Sequence, residues 1–142
     1  MNDLVLLFPN LSATPHQITS PAETTYNCIA WAAGDDKNWW WPDTMGEYEW
    51  PPSASREETI KAFIEAFESI GYSECADAEF EKAFLKVAIY ADSAGKPTHA
   101  ARQLKNGQWT SKCGDLEDIE HTLDAFEGSN YGSPVVFLKR SD

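Results

Sequence analysis

An α+β fold, with short helices packed on a mostly antiparallel sheet, is what this sequence predicts. Three observations point there. Helical apolar patterns fill the first half of the chain, around 25–34 and 55–70. The second half holds runs rich in β-branched and aromatic residues, such as Lys86-Val87-Ala88-Ile89-Tyr90-Ala91 and Pro134–Lys139. Between those runs, Asn106-Gly107 is a strong hairpin signal.

The elements follow in order. Residues 1–24 carry an apolar piece, Leu4–Phe8, and then Pro9, Pro15 and Pro21, which break regular structure; an extended arm over the domain is expected. In 25–34, Thr25 or Asn27 caps a short apolar helix that starts at or beside Cys28, and Gly34 stops it. Residues 38–52 form an aromatic loop, Trp39-Trp40-Trp41-Pro42 and Tyr48-Glu49-Trp50-Pro51-Pro52, whose prolines exclude a helix interior. Residues 55–70 read as the clearest helix. Ser55-Arg56-Glu57-Glu58 fits a capping box, Ile60, Phe63, Ile64, Phe67 and Ile70 share a face, and Gly71 ends it.

Strands are expected at Lys86–Ala91, Thr98–Leu104 and Gln108–Cys113. A two-residue turn at Asn106-Gly107 pairs Lys105 with Gln108 and sets Ala101 opposite Lys112. Asp115 then caps a third helix with Leu116, Ile119, Leu123 and Phe126 on one face; His121 lies off that stripe, on the solvated side. Pro134–Lys139 closes the sheet.

Composition bounds the function. The 142 residues suit one domain over 1–142, and 42% apolar content supports a core. With 23 acidic against 11 basic residues the net charge is -12. Such a chain repels phosphate backbones and anionic bilayers, so neither nucleic acid nor membrane is expected as a partner. No apolar stretch approaches the ~20 residues of a spanning helix. Asp3 stands where a secretion signal would be positive, so a cytoplasmic location is the expectation. The three cysteines, Cys28, Cys75 and Cys113, form no CxxC pair, which argues against a disulfide scaffold and a ribbon-type zinc site. No metal or other cofactor is implied.

Two residues carry the chemistry. A thiol at a helix N-terminus feels the positive end of the helix dipole, and such cysteines reach pKa values of about 3.5–7.5. Cys28 is so placed, although an intracellular cysteine is more often a small buried hydrophobe. His99 shares a strand face with Ala101 and Gln103. The small Ala101 leaves room for a helix laid over that face, which would bring its N-terminus to His99.

Asn27-Cys28-Ile29-Ala30-Trp31-Ala32 followed by Thr98-His99-Ala100-Ala101 resembles the papain-like cysteine peptidases and amidases, in their compact NlpC-type branch. Most of 25–140 also resembles a small bacterial family with a Tyr-Asn-Cys-Ile-Ala-Trp-Ala block, a His-Ala-Ala-Arg-Gln-Leu block and a Trp-Thr-Ser-Lys block, matched at 26–32, 99–104 and 109–112. The resemblance implies a papain-like fold and acyl transfer. Cys28 attacks an amide or thioester carbonyl, His99 carries the proton, and backbone N–H groups at the helix start bind the oxyanion, with Asn27 or Gln17 assisting. The superfamily places a third polar residue on the strand after the histidine strand. Gln108–Cys113 contains no Asn, Asp or His, so Ser111, Gln103 and Asp115 are the candidates.

Trp31, Trp40 and Trp41 supply aromatic surface for substrate, and Arg102 and Lys112 can recognise a carboxylate. Clustered tryptophans more often fill a core, and lone cations more often pair with surface acids. Two functions follow. One is a hydrolase or acyltransferase on a peptide, amide or thioester, with a Cys28–His99 dyad. The other is a non-catalytic acidic binding module, of the kind that neutralises a basic protein partner, on the same scaffold.

Overall fold

The computed structural model describes residues 16–20, 26–112, 118–121 and 132–141. Its elements are β1 (His16–Ser20), α1 (Cys28–Ala32), α2 (Ile60–Glu68), β2 (Ser73–Cys75), β3 (Phe84–Ala91), β4 (Pro97–Gln103), β5 (Trp109–Lys112), β6 (Asp118–His121) and β7 (Ser133–Ser141). The strands form one sheet in the order β1-β6-β5-β4-β3-β7-β2. Every neighbouring pair in it is antiparallel. The α+β expectation with an antiparallel sheet therefore holds.

Both helices begin on a side-chain cap. Asn27 accepts from the Ala30 amide and starts α1, and Gly34 follows its end in the left-handed region, φ 88°. In α2 the cap is Thr59, which accepts from the Ala62 amide at 3.2 Å. The capping box expected at Ser55–Glu58 does not form. Ser55 instead donates its backbone N–H to Glu65, and Arg56 is drawn to Asp43 and the Tyr48 carbonyl, so the helix starts four residues late. Its buried residues are Ala62, Phe63, Ala66 and Phe67.

The helices cover one face of the sheet. Cys28, Ile29, Phe63 and Phe67 pack there with Val87, Ile89, Ala100 and Leu138 in one apolar core. Burying side chains of this size stabilises by about 1.5–3 kcal/mol each. The aromatic run joins the same core: Trp41 meets the Phe63 ring edge-on at 5.6 Å, and Trp50 lies 5.1 Å from it.

Two sequence expectations fail in the sheet. The hairpin between β4 and β5 is a three-residue loop, Lys105–Gly107, closed by Leu104 N–H to Gln108 O at 2.7 Å, with Gly107 at φ 88°. A loop of this length ends on a left-handed residue, which glycine supplies without strain. Its register pairs Arg102 with Thr110, and by continuation Ala101 with Ser111 rather than with Lys112. The expected third helix is contradicted over 118–121, which form β6 between β5 and β1. The β1 strand also replaces part of the expected extended arm. Pro9, Pro15, Pro21, Cys113, Asp115, Leu116, Leu123 and Phe126 lie outside the described residues.

Candidate functional site

Asn27 organises the start of α1. Its Oδ1 accepts from the amides of Ala30 and Trp40, both at 3.1 Å, and its Nδ2 donates to the Trp40 carbonyl at 2.7 Å. One side chain thus caps the helix and clamps the tryptophan run onto it. Its Oδ1 and one of its two Nδ2 N–H groups are thus committed to holding the scaffold. Trp40 is tied further, its indole N–H donating to Asp35 at 2.9 Å. That bond and those from Lys37 and Asn38 outweigh the opposing effect of burial and hold the Asp35 carboxyl below its ordinary value.

Trp31 turns to the sheet. Its indole N–H donates to Thr110 Oγ1 at 3.0 Å, the Arg102 guanidinium lies 5.1 Å from its ring centre, and Tyr26 stacks on it at 5.5 Å. Arg102 and Thr110 are register partners, so they share a face, and that face is the one α1 covers. Cys28 is buried on this side, 6% exposed, in the cluster that includes Ala100.

His99 belongs to the opposite face. Alternation along β4 sets His99, Ala101 and Gln103 against Ala100 and Arg102. The contacts agree. His99 Nε2 lies 3.0 Å from Ser111 Oγ, and its ring meets Tyr90, its partner on β3, edge-on at 5.1 Å. The structure therefore brings Ser111 to His99, as expected, and does not bring Cys28 there. The helix was expected over the His99 face; it lies over the other, and the β4 backbone runs between thiol and imidazole.

The row continues. Ser111 Oγ is 2.7 Å from His121 Nε2. His99, Ser111 and His121 are 0%, 0% and 1% exposed. A hydroxyl donates once, so one imidazole accepts from Ser111 while the other gives it an N–H. Burial first, and the nearness of His121 second, push the His99 pKa well below 6.5, so His99 is neutral. His121 was expected on the solvated side of a helix. The alternation Asp118-Ile119-Glu120-His121 was the signal that could have placed it on a strand.

Gln103 is buried beside this row, its Nε2 donating to the carbonyls of Ala78 at 3.2 Å and Gly107 at 3.4 Å rather than to His99. Gln17 is paired through its backbone with Glu120 on β6, away from α1. Lys112 closes β5 and is described through its backbone alone. Among the described residues no three His, Cys, Asp or Glu side chains are grouped to hold a metal ion. Among them, too, no helix is long and apolar enough to cross a membrane.

These features define an α+β protein with one apolar sheet face under short helices and one polar buried face. Residues 17–139 match the model of a domain of unknown function, DUF7689, and the chain belongs to that family. Comparison with curated proteins gave no match, and comparison with solved structures gave none.

Proposed function

We propose that this chain is a non-catalytic binding module for a basic protein partner, not a Cys28–His99 hydrolase. The observation that carries this reading is the sheet between Cys28 and His99. Proton transfer in a dyad needs hydrogen-bond reach, and a thiol on one face has none to an imidazole on the other. The papain-like resemblance enters this proposal only as scaffold: a cysteine helix followed by an antiparallel sheet, without the facing that acyl transfer requires.

Charge supports the positive half of the reading. Between positions 35 and 58 there are seven acidic residues against two basic ones. Arg56, one of those two, is neutralised by Asp43 at 2.9 Å. Glu47 and Glu49 stay exposed beside Tyr48 and Met45, and the Tyr48 ring lies 6.2 Å from that of Trp39. An acidic surface with aromatic side chains suits a lysine- and arginine-rich partner through charge steering and cation–π contact.

The test has two arms. A lysine-rich peptide titrated into the protein by calorimetry is expected to bind in a salt-dependent way. Binding weakens about tenfold or more in Glu47→Lys/Glu49→Lys and is unchanged in Cys28→Ser. In the second arm, Cys28 alkylation by iodoacetamide is followed against pH in a Cys75→Ser/Cys113→Ser background. Slow reaction is expected. Fast reaction with a midpoint well below the ordinary ~8.5, moving upward in His99→Gln, would overturn the proposal.

A further inference from the structure

The structure assigns a second site, independent of the acidic surface: a cavity for a small amphipathic acid where β3 and β4 part. Pairing of these strands runs from Ala91 and Pro97 to Val87 and Arg102 and goes no further at that end. Beyond that point β3 stays with β7 as far as Phe84 and Ser141, while β4 turns away to β5 through Gln103 and Trp109. Leu85 and Leu104 are left facing a gap. The gap is a cavity of about 520 Å³, walled by Phe80, Phe84, Leu85 and Leu104. That volume lies within the range of small-molecule sites, which are mostly apolar with a few placed polar groups.

The loop 76–83 forms its outer wall and is held firmly. Lys86, fully buried, reaches Glu81 at 2.6 Å and Asp77 at 3.3 Å, and Gln103 Nε2 holds the Ala78 carbonyl. Ala83, where this loop enters β3, has φ 73°, the only non-glycine residue at positive φ among the described residues. Such strained positions concentrate at binding sites.

Two polar features select the ligand. The first is Gln103, which lines the cavity and is 5% exposed. Its Oε1 is buried with no hydrogen-bond partner among the described residues. The amide orientation is fixed, since a flip would set Oε1 against the carbonyls of Ala78 and Gly107. A buried acceptor left unsatisfied is costly, and a ligand O–H or N–H is the donor it lacks. The second is charge. Lys82 and Lys105 line the cavity, and Arg102 and Arg140 line an adjoining one of about 240 Å³ that shares Leu85 and Leu104. Four of the 11 basic residues of an acidic chain thus surround one apolar floor. The matching chemistry is an apolar body with a hydroxyl or amide donor and a carboxylate end.

The probes are hydroxylauric acid, lauric acid and lauryl alcohol, each below its micelle concentration, titrated by calorimetry. Saturable one-to-one binding of the acids is expected, the hydroxy acid tighter than lauric acid and lauryl alcohol weakest. In Lys82→Glu/Lys105→Glu, both exposed positions, the acids are expected to lose about tenfold while the alcohol is unchanged. Leu104→Trp, folded by circular dichroism, is expected to abolish all binding by filling the cavity. If that variant does not fold, the lysine pair decides alone. No saturable binding, or equal binding of acid and alcohol that ignores the charge reversal, would overturn the assignment.

Discussion

The two faces of the central sheet are buried to the same degree and built from opposite materials. Under the helices, Val87, Ile89, Ala100 and Leu138 meet Phe63 and Phe67. On the other side the same strands present Lys86, Tyr90, His99, Gln103 and Ser111, with His121 beside them, each 5% exposed or less. Burial stabilises the first face directly, through apolar area removed from water. On the second it stabilises only where every polar group finds a partner, because an unsatisfied group keeps its full desolvation cost. The first face is therefore tolerant of shape and the second of very little: Ser111 cannot be replaced without stranding an imidazole, nor the acids around Lys86 without stranding an ammonium.

The comparison can be broken most strongly on the apolar side. Phe63, 0% exposed, touches Trp41 and Trp50 and anchors α2. Phe63→Ala is expected to cost about 3–5 kcal/mol in urea denaturation. A loss below 1 kcal/mol would mean that the helix-covered face is not the main core.

On the polar side, Ser111→Ala removes a hydroxyl shared by two buried imidazoles. A loss of about 1–3 kcal/mol is expected, with both histidine ring signals shifted in NMR spectra. A neutral result with unmoved signals would dissolve the row as a unit.

The smallest effect is the pH dependence. His99 is held neutral when folded and returns to about 6.5 when unfolded. The unfolded chain then binds the extra proton, so stability is full above pH 6.5 and falls as pH drops below it, by up to about 1.4 kcal/mol per unit. Asp77 and Glu81, held below ordinary carboxylate values chiefly by hydrogen bonds, give up their contribution only at lower pH, so the range between about 6.5 and 5 separates imidazole titration from theirs, and His99→Gln assigns the share of His99. Denaturation midpoints that stay flat over that range would sink the assignment.

Much of the fold is legible in the chain. The α1 bounds follow from Asn27 at its start and Gly34 past its end, and β3, β4, β5 and β7 follow from strand-like runs between turn residues. The start of α2 is not legible, because Ser55 and Arg56 are claimed by Glu65 and Asp43, contacts that exist only after folding. Neither is β6: Leu116, Ile119, Leu123 and Phe126 also satisfy a helical period, and only pairing with β1 and β5 decides for a strand. Of the candidate site, the link from His99 to Ser111 needed the three-residue hairpin, because the expected two-residue turn sets Lys112 rather than Ser111 opposite Ala101, while His121 was hidden by the helix reading.

The sequence by itself determined the class of fold, the acidity, the helix cap at Asn27, the aromatic loop, and which residues of each strand share a face. Only the tertiary structure decided which of those faces the cysteine helix covers. Period-two alternation sorts side chains into two sets but names neither as the inner one. In a strand such as Lys86-Val87-Ala88-Ile89-Tyr90-Ala91, buried on both sides, there is no solvent-facing side to mark the outside. The separation of Cys28 from His99 is a consequence of packing that strand pattern cannot carry.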